Sequence, residues 1–264
     1  MYRDYIWSKR MVEYREIESI IKSAGEIMKQ ELKNCDIHEK GRADFVTEAD
    51  LKVQEYMFQK LQQCYPKIGF IGEEQEKNDF SAECQWILDP IDGTTNYIYG
   101  YNFSAISLAL KARNQIVWGA VYNPFTDEMF VAKRNEGAFL NGVRIQVSGK
   151  TTLADSLIAV GTTPYHKEMA DEVFDTIKKL FMIGLDIRRT GSAALDLAYV
   201  AAGRQEAYFE RNLKVWDFAA GSLILQEAGG VICDLQKNPL QYEGNSDIVA
   251  CCNHEILKEM IEIL

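Results

Sequence analysis

Trp86-Ile87-Leu88-Asp89-Pro90-Ile91-Asp92-Gly93-Thr94-Thr95-Asn96 is the stretch on which the reading of this chain turns. Its opening residues, with Gln85 before them, suit a short buried strand over 85–88 that ends at Asp89. Pro90 stiffens the following turn, so that Asp89, the Ile91 carbonyl and Asp92 could reach neighbouring cations. Gly93-Thr94-Thr95 then offers backbone N–H groups and two hydroxyls. A helix beginning near Thr95 would point its positive end at a bound anion. Each part also has a plainer reading: Asp-Gly is a common turn pair, and a Thr in this place commonly caps a helix.

Working outward, Ile68-Gly69-Phe70-Ile71-Gly72 reads as a second buried strand, ending in Glu73-Glu74. Asp217 lies between Trp216 and the helical stretch 218–228, and reads either as a site acid or as the cap of that helix. Asp50, three residues after Thr47, has the spacing of a capping box and is kept as a residue supporting the site from behind. Glu73, Asp89, Asp92 and Asp217 thus fall at element ends, where loops gather into a cleft. Two unit charges ~4 Å apart repel by about 1 kcal/mol in water and about 4 kcal/mol at an effective dielectric of 20. Divalent cations remove that repulsion. An all-oxygen ligand set favours Mg²⁺, whereas zinc would favour His and Cys, and the three histidines are isolated in sequence.

The flanking sequence supplies a frame for this site. Helical spacing predicts an amphipathic helix from Tyr14 to Lys33 and a second one from Thr47 to Cys64, closed by Pro66. Strands follow near 105–110, 116–122 and 128–132, with Asn141-Gly142 as a hairpin turn. Residues 1–150 read as two helices feeding a strand-rich sheet. Residues 151–264 read as an α/β half: strands near 156–160, 186–189, 206–209 and 231–234, and helices near 167–181, 193–202 and 218–228. The two halves are expected to pack around a cleft.

Composition narrows the classes further. Of 264 residues, 47% are hydrophobic and 26% charged, which suits a folded globular chain. A net charge of -10 with no Lys/Arg cluster argues against a nucleic-acid face, and it would repel a phosphate ester unless cations invert the local field. Six cysteines (Cys35, Cys64, Cys84, Cys233, Cys251, Cys252) without C-x-x-C spacing read as reduced thiols. No apolar run approaches a membrane span or a secretory leader, so a cytoplasmic protein with no membrane partner is expected.

The run Trp86 to Asn96 resembles the first signature of the inositol monophosphatase family of Mg²⁺-dependent, lithium-sensitive phosphatases. Val215-Trp216-Asp217-Phe218-Ala219-Ala220-Gly221, followed by Glu227-Ala228-Gly229-Gly230, resembles the second. Gly72-Glu73-Glu74 and Gly191-Ser192-Ala193-Ala194 stand in the family order. The resemblance implies an α/β protein with the five-layered α-β-α-β-α sandwich of the sugar phosphatases, assembled as a homodimer. It implies two or three Mg²⁺ per site, with Glu73, Asp89 and the Ile91 carbonyl on one ion, and Asp89, Asp92 and Asp217 on another. Glu73 and Thr94 would orient the attacking water. Gly93, Thr94 and Thr95 would bind phosphate, while Ala193, Glu210 and Asp92 would contact the alcohol. The implied reaction is direct hydrolysis without a phosphoenzyme. Thr95-Asn96 resembles the inositol-phosphate branch. Arg211 and Lys214, just after Glu210, could instead receive a second phosphate, which keeps NADP and fructose 1,6-bisphosphate as alternative substrates. Arg188 and Arg189 on a strand are ambiguous. A non-catalytic binding protein is the remote alternative.

Overall fold

The computed structural model describes residues 12–32, 37–41 and 44–264. Lys33, to which helical periodicity carried the first helix, and Cys35 lie outside the described residues. Helix α1 (Tyr14–Glu31) buries Ile17, Ile20, Ile21, Ala24 and Met28, the stripe read from its spacing. A two-stranded ribbon, β1 (Ile37–Gly41) and β2 (Asp44–Thr47), leads into α2 (Glu48–Cys64), which opens with the Thr47/Asp50 capping box.

A seven-stranded sheet follows in the order β3 (Gly69–Gly72), β4 (Cys84–Asp92), β5 (Ala105–Ala112), β6 (Gln115–Asn123), β7 (Glu128–Lys133), β8 (Gly137–Leu140) and β9 (Val143–Arg144). Only the β3–β4 pair is parallel. Asn141 and Gly142 make the β8–β9 turn, both at positive φ. The one-turn helix α3 (Thr94–Ile98) follows β4, starting one residue earlier than the sequence suggested.

The second sheet has the order β11 (Asp186–Arg188), β10 (Leu157–Val160), β12 (Ala207–Lys214), β14 (Asn245–Cys251), β13 (Val231–Cys233), with β10 parallel to both its neighbours. Its helices are α4 (Ala170–Ile183), α5 (Ala193–Ala201), α6 (Val215–Glu227) and α7 (His254–Ile263). Periodicity placed the start of α4 at Lys167, but 167–169 form a 3-10 turn instead. Strand β14 and helix α7 had not been assigned from sequence.

The layers follow from which faces are apolar. Helices α1 and α2 cover one face of the large sheet around Trp86, Leu108 and Trp118. Helices α5 and α6 fill the space between the sheets, where Phe130, Leu197, Phe218 and Leu223 meet. Helices α4 and α7 cover the outer face of the smaller sheet through Leu180, Ile256 and Met260. The result is the five-layered α-β-α-β-α sandwich. Helix α6 is buried nearly all round, which explains its lack of a polar stripe. Among the described residues no helix is long and apolar enough to cross a membrane.

Two irregularities position the site. Asp89 pairs with Ser107 and Asp92 with Ala105, so β4 carries one extra residue between its acids. In a regular strand, side chains three apart point to opposite faces; the bulge turns both acids toward one cleft. Pro90 belongs at such a bulge because it has no N–H for the ladder. Strand β12 carries a second irregularity between Glu210 and Leu213.

Candidate active site

The bulge of β4, the ends of β3 and β10, the loop before α5 and the start of α6 enclose a cleft of about 640 Å³. Every residue singled out for the site lines it except Asp50. One carboxylate oxygen from each of Asp89, Asp92 and Asp217 lies within 4.8 Å of the others. Glu73, at the end of β3, shares a hydrogen bond with the Asp89 carboxyl.

Burial dominates the electrostatics. It pushes the Asp89 carboxyl well above its ordinary value, and the charges of Glu73, Asp92 and Asp217 push it further. Asp217 is raised well above for the same reasons, against one N–H donated by Lys214. Asp92 is raised to about 6: burial outweighs hydrogen bonds from the Ser192 hydroxyl and the Ala194 N–H (2.8 Å), both at the N-terminus of α5. Such a cluster holds protons unless a multivalent cation replaces them. The donor set is all oxygen, with no His or Cys among it, and so fits Mg²⁺.

Beside the acids, Gly93 sits at φ +87°, and a Cβ there would meet the Gly191 carbonyl at 3.0 Å and the Phe103 carbonyl at 3.2 Å. Only glycine adopts that turn with backbone this close. The first N–H groups of α3 have no partner inside the helix, and they open on the cleft. The Thr94 hydroxyl donates to the Ile91 carbonyl (3.1 Å) and lies 3.4 Å from Asp50 Oδ1. Asp50 Oδ2 accepts from the Thr47 N–H and hydroxyl. Asp50 therefore fills the capping box and holds Thr94 as well.

Lys214, not Asp217, is the N-cap of α6. Helix α6 begins at Val215, three residues before the start read from sequence, so Asp217 is its third residue and not its cap. Its Oδ2 accepts the Lys214 N–H at 2.8 Å, and the side chain is thereby aimed into the cleft.

Ala193 is buried beside Asp92, and Glu210 accepts from the Tyr208 hydroxyl (2.6 Å) and the Thr163 N–H (3.3 Å). Arg211 is engaged elsewhere, its guanidinium paired with Glu172 at 2.6 Å and with Asp247 at 3.9 Å. Lys214 is exposed on the rim and forms no ion pair among the described residues. The two ambiguous arginines separate: Arg188 pairs with Asp186, whereas Arg189 lines the cleft with its Nε 3.3 Å from Thr162 Oγ1.

Thr163, Tyr208 and Asp196 were not singled out from the sequence, and Ser192 stood there only within the run Gly191-Ser192-Ala193-Ala194, with no role of its own. Asp196 is fully enclosed in α5, bonded to the Thr190 hydroxyl (2.5 Å) and to Gln205 Nε2 (3.3 Å). A carboxyl inside the apolar run Ala193–Ala201 was the signal that could have found it.

A sequence profile described as the inositol monophosphatase family matches residues 11–263. The chain belongs to the inositol monophosphatase family. An inositol-1-monophosphatase of Rhizobium meliloti is 39% identical over 235 residues, 89% of this chain and 88% of the relative. The crystal structure of the extragenic suppressor protein suhB from Bartonella henselae superposes with a TM-score of 0.86 at 36% identity, covering 95% of this chain and 97% of that one. An IMPase/NADP phosphatase complexed with Mg²⁺ and phosphate superposes with a TM-score of 0.85 at 25% identity, covering 95% and 94%. The family is one of metal-dependent phosphatases, and the acidic cluster of this member has the ligand types to hold a metal.

Proposed function

We propose that the protein hydrolyses a phosphate monoester with Mg²⁺, inositol 1-phosphate foremost, by direct attack of water and without a phosphoenzyme. The observation that carries this reading is the convergence of Asp89, Asp92 and Asp217 on one side of a strand bulge, next to the first N–H groups of α3, which have no partner within the helix. Glu73, Asp89, the Ile91 carbonyl, Asp92 and Asp217 would hold two or three ions. Bound Mg²⁺ supplies charge neutralisation at the phosphate and lowers the pKa of water.

The chain's own groups do the rest. The N–H groups of Gly93, Thr94 and Thr95 hold phosphate oxygens. The Thr94 hydroxyl, held by Asp50, and the Glu73 carboxylate orient the attacking water. Asp92 and Glu210 accept hydrogen bonds from hydroxyls of the alcohol, and the Ala193 backbone packs against it. This arrangement supplies positioning and charge stabilisation more than covalent chemistry.

Purified protein is expected to release phosphate from inositol 1-phosphate in the presence of Mg²⁺, and Asp89→Asn to abolish it. Full activity in that variant would sink the assignment. A second reading, hydrolysis of NADP or a sugar bisphosphate, draws on Arg189 and Lys214, which line the cleft and form no ion pair among the described residues. Specificity constants for inositol 1-phosphate, fructose 1,6-bisphosphate and NADP separate the two, and Arg189→Ala should selectively depress the substrates that carry further phosphate groups. We also propose that the protein is a homodimer. Phe174, Phe181 and Met182 on α4 and the neighbouring Leu185 are more than half exposed beside the edge strand β11, and sedimentation at micromolar concentration tests whether a second copy covers them.

A further inference from the structure

The catalytic cleft lies at the N-terminal end of α6, and a second cleft of about 700 Å³ opens at the other end of the same helix. Asp217 borders the first and Gln226 the second; nine residues at 1.5 Å each separate them by ~14 Å. The two clefts share no lining residue.

The floor of the second cleft is apolar, formed by Val231 and Ile232 of β13 with Leu240, Leu257 and Ile261. Strand β13 ends its sheet and pairs only with β14, so no further strand lies along its outer edge among the described residues. Above that floor stand Arg134, Lys237, Lys258 and His254, and no Asp or Glu lines the cleft. In a chain with 39 acidic and 29 basic residues this is a local reversal of charge.

The cations are also uncommitted. Arg134 donates its Nε to the Ile116 carbonyl (2.7 Å) and reaches Gln226 Oε1 at 3.5 Å, but neither it nor Lys237 nor Lys258 has an ion pair among the described residues. Asp234, the acid nearest in sequence to Lys237, accepts hydrogen bonds from Gln236 and Asn238 within its own turn. Uncompensated cations around a concave surface raise the local concentration of anions, and a cleft of this size matches a small organic molecule.

We propose that this second cleft binds a small organic anion, its phosphate or carboxylate held by Arg134, Lys237 and Lys258 and its apolar body lying on the β13 floor. The assignment is independent of which ester the catalytic cleft hydrolyses.

The probe is anilinonaphthalene sulfonate, an anion with an aromatic body, titrated by fluorescence into the whole chain after divalent cations are removed by dialysis, so that the catalytic cleft holds no cation to draw an anion. Lys237→Glu/Lys258→Glu should weaken binding about tenfold. Lys60→Glu/Lys67→Glu, an equal charge change at exposed positions on and just after α2, should leave it within twofold. A loss under threefold in the cleft variant, or an equal loss in the control, overturns the proposal. Should the charge-reversed pair lose its cooperative thermal melt, Lys237→Gln/Lys258→Gln replaces it under the same thresholds.

Discussion

Replacing Asp196 by asparagine tests whether a carboxyl inside α5 is held neutral by the fold. Asp196 is 1% exposed, and burial, helped by the charges of Glu210 and Asp92, lifts it from 3.8 to about 8 against the hydrogen bonds of Thr190 and Gln205. The native state therefore keeps a proton that the unfolded chain releases near pH 4. The sign follows directly: the contribution to stability is complete below the unfolded pKa and is lost as pH rises through the folded one. At 1.36 kcal/mol per unit, the interval from 3.8 to about 8 amounts to a swing of about 6 kcal/mol between pH 4 and pH 9. Asparagine is neutral throughout. Its Nδ2 can donate to Thr190 Oγ1 and its Oδ1 can accept from Gln205 Nε2, reproducing the contacts of the protonated acid. In urea unfolding of metal-free protein followed by tryptophan fluorescence, Asp196→Asn should match the parent within about 1 kcal/mol at pH 4.5. At pH 9 it should be the more stable protein by about 4–6 kcal/mol. Stability profiles that run parallel from pH 4.5 to 9 would refute the reasoning, because the ionisation would then be no costlier in the fold than outside it.

Other perturbations probe neighbouring parts. Ser192→Ala removes the hydroxyl that fixes Asp92, and Mg²⁺ affinity by calorimetry should fall about tenfold; unchanged affinity would show that Asp92 is oriented without it. At Gly161 a Cβ would overlap the Glu210 carboxylate, so Gly161→Ala should displace Glu210 and raise KM for a polyol phosphate more than it lowers kcat. An effect confined to kcat would contradict a role for Glu210 in binding the alcohol. Phe218→Ala empties a fully buried position of α6 beside Tyr242, and a stability loss of about 3–5 kcal/mol is expected by denaturant titration; less than 1 kcal/mol would mean that the layer between the sheets collapses around the gap.

Local patterns carried much of the fold. The stripes of α1 and α2, the Thr47/Asp50 box and the Asn141-Gly142 turn were legible because each is decided within one or two helical turns or a four-residue loop. Boundaries failed where tertiary contacts override local preference. The start of α6 at Val215 is not legible because a helix buried on every side shows no polar face to mark it, and β14 reads as an apolar run too short to classify until β12 and β13 flank it.

By itself, the sequence determined which groups this protein has to work with: four acids at element ends, a glycine-threonine run beside them, and the signatures that resemble one phosphatase family. How those groups face one another follows from the folded arrangement. The bulge that turns Asp89 and Asp92 to one side, the N-terminus of α5 that bonds Asp92, and the diversion of Arg211 to Glu172 and Asp247 all join residues far apart in the chain. Such contacts leave no local periodicity to read, because their energy depends on burial and distance in three dimensions. The same holds for Asp196, whose proton is retained through its surroundings in the fold.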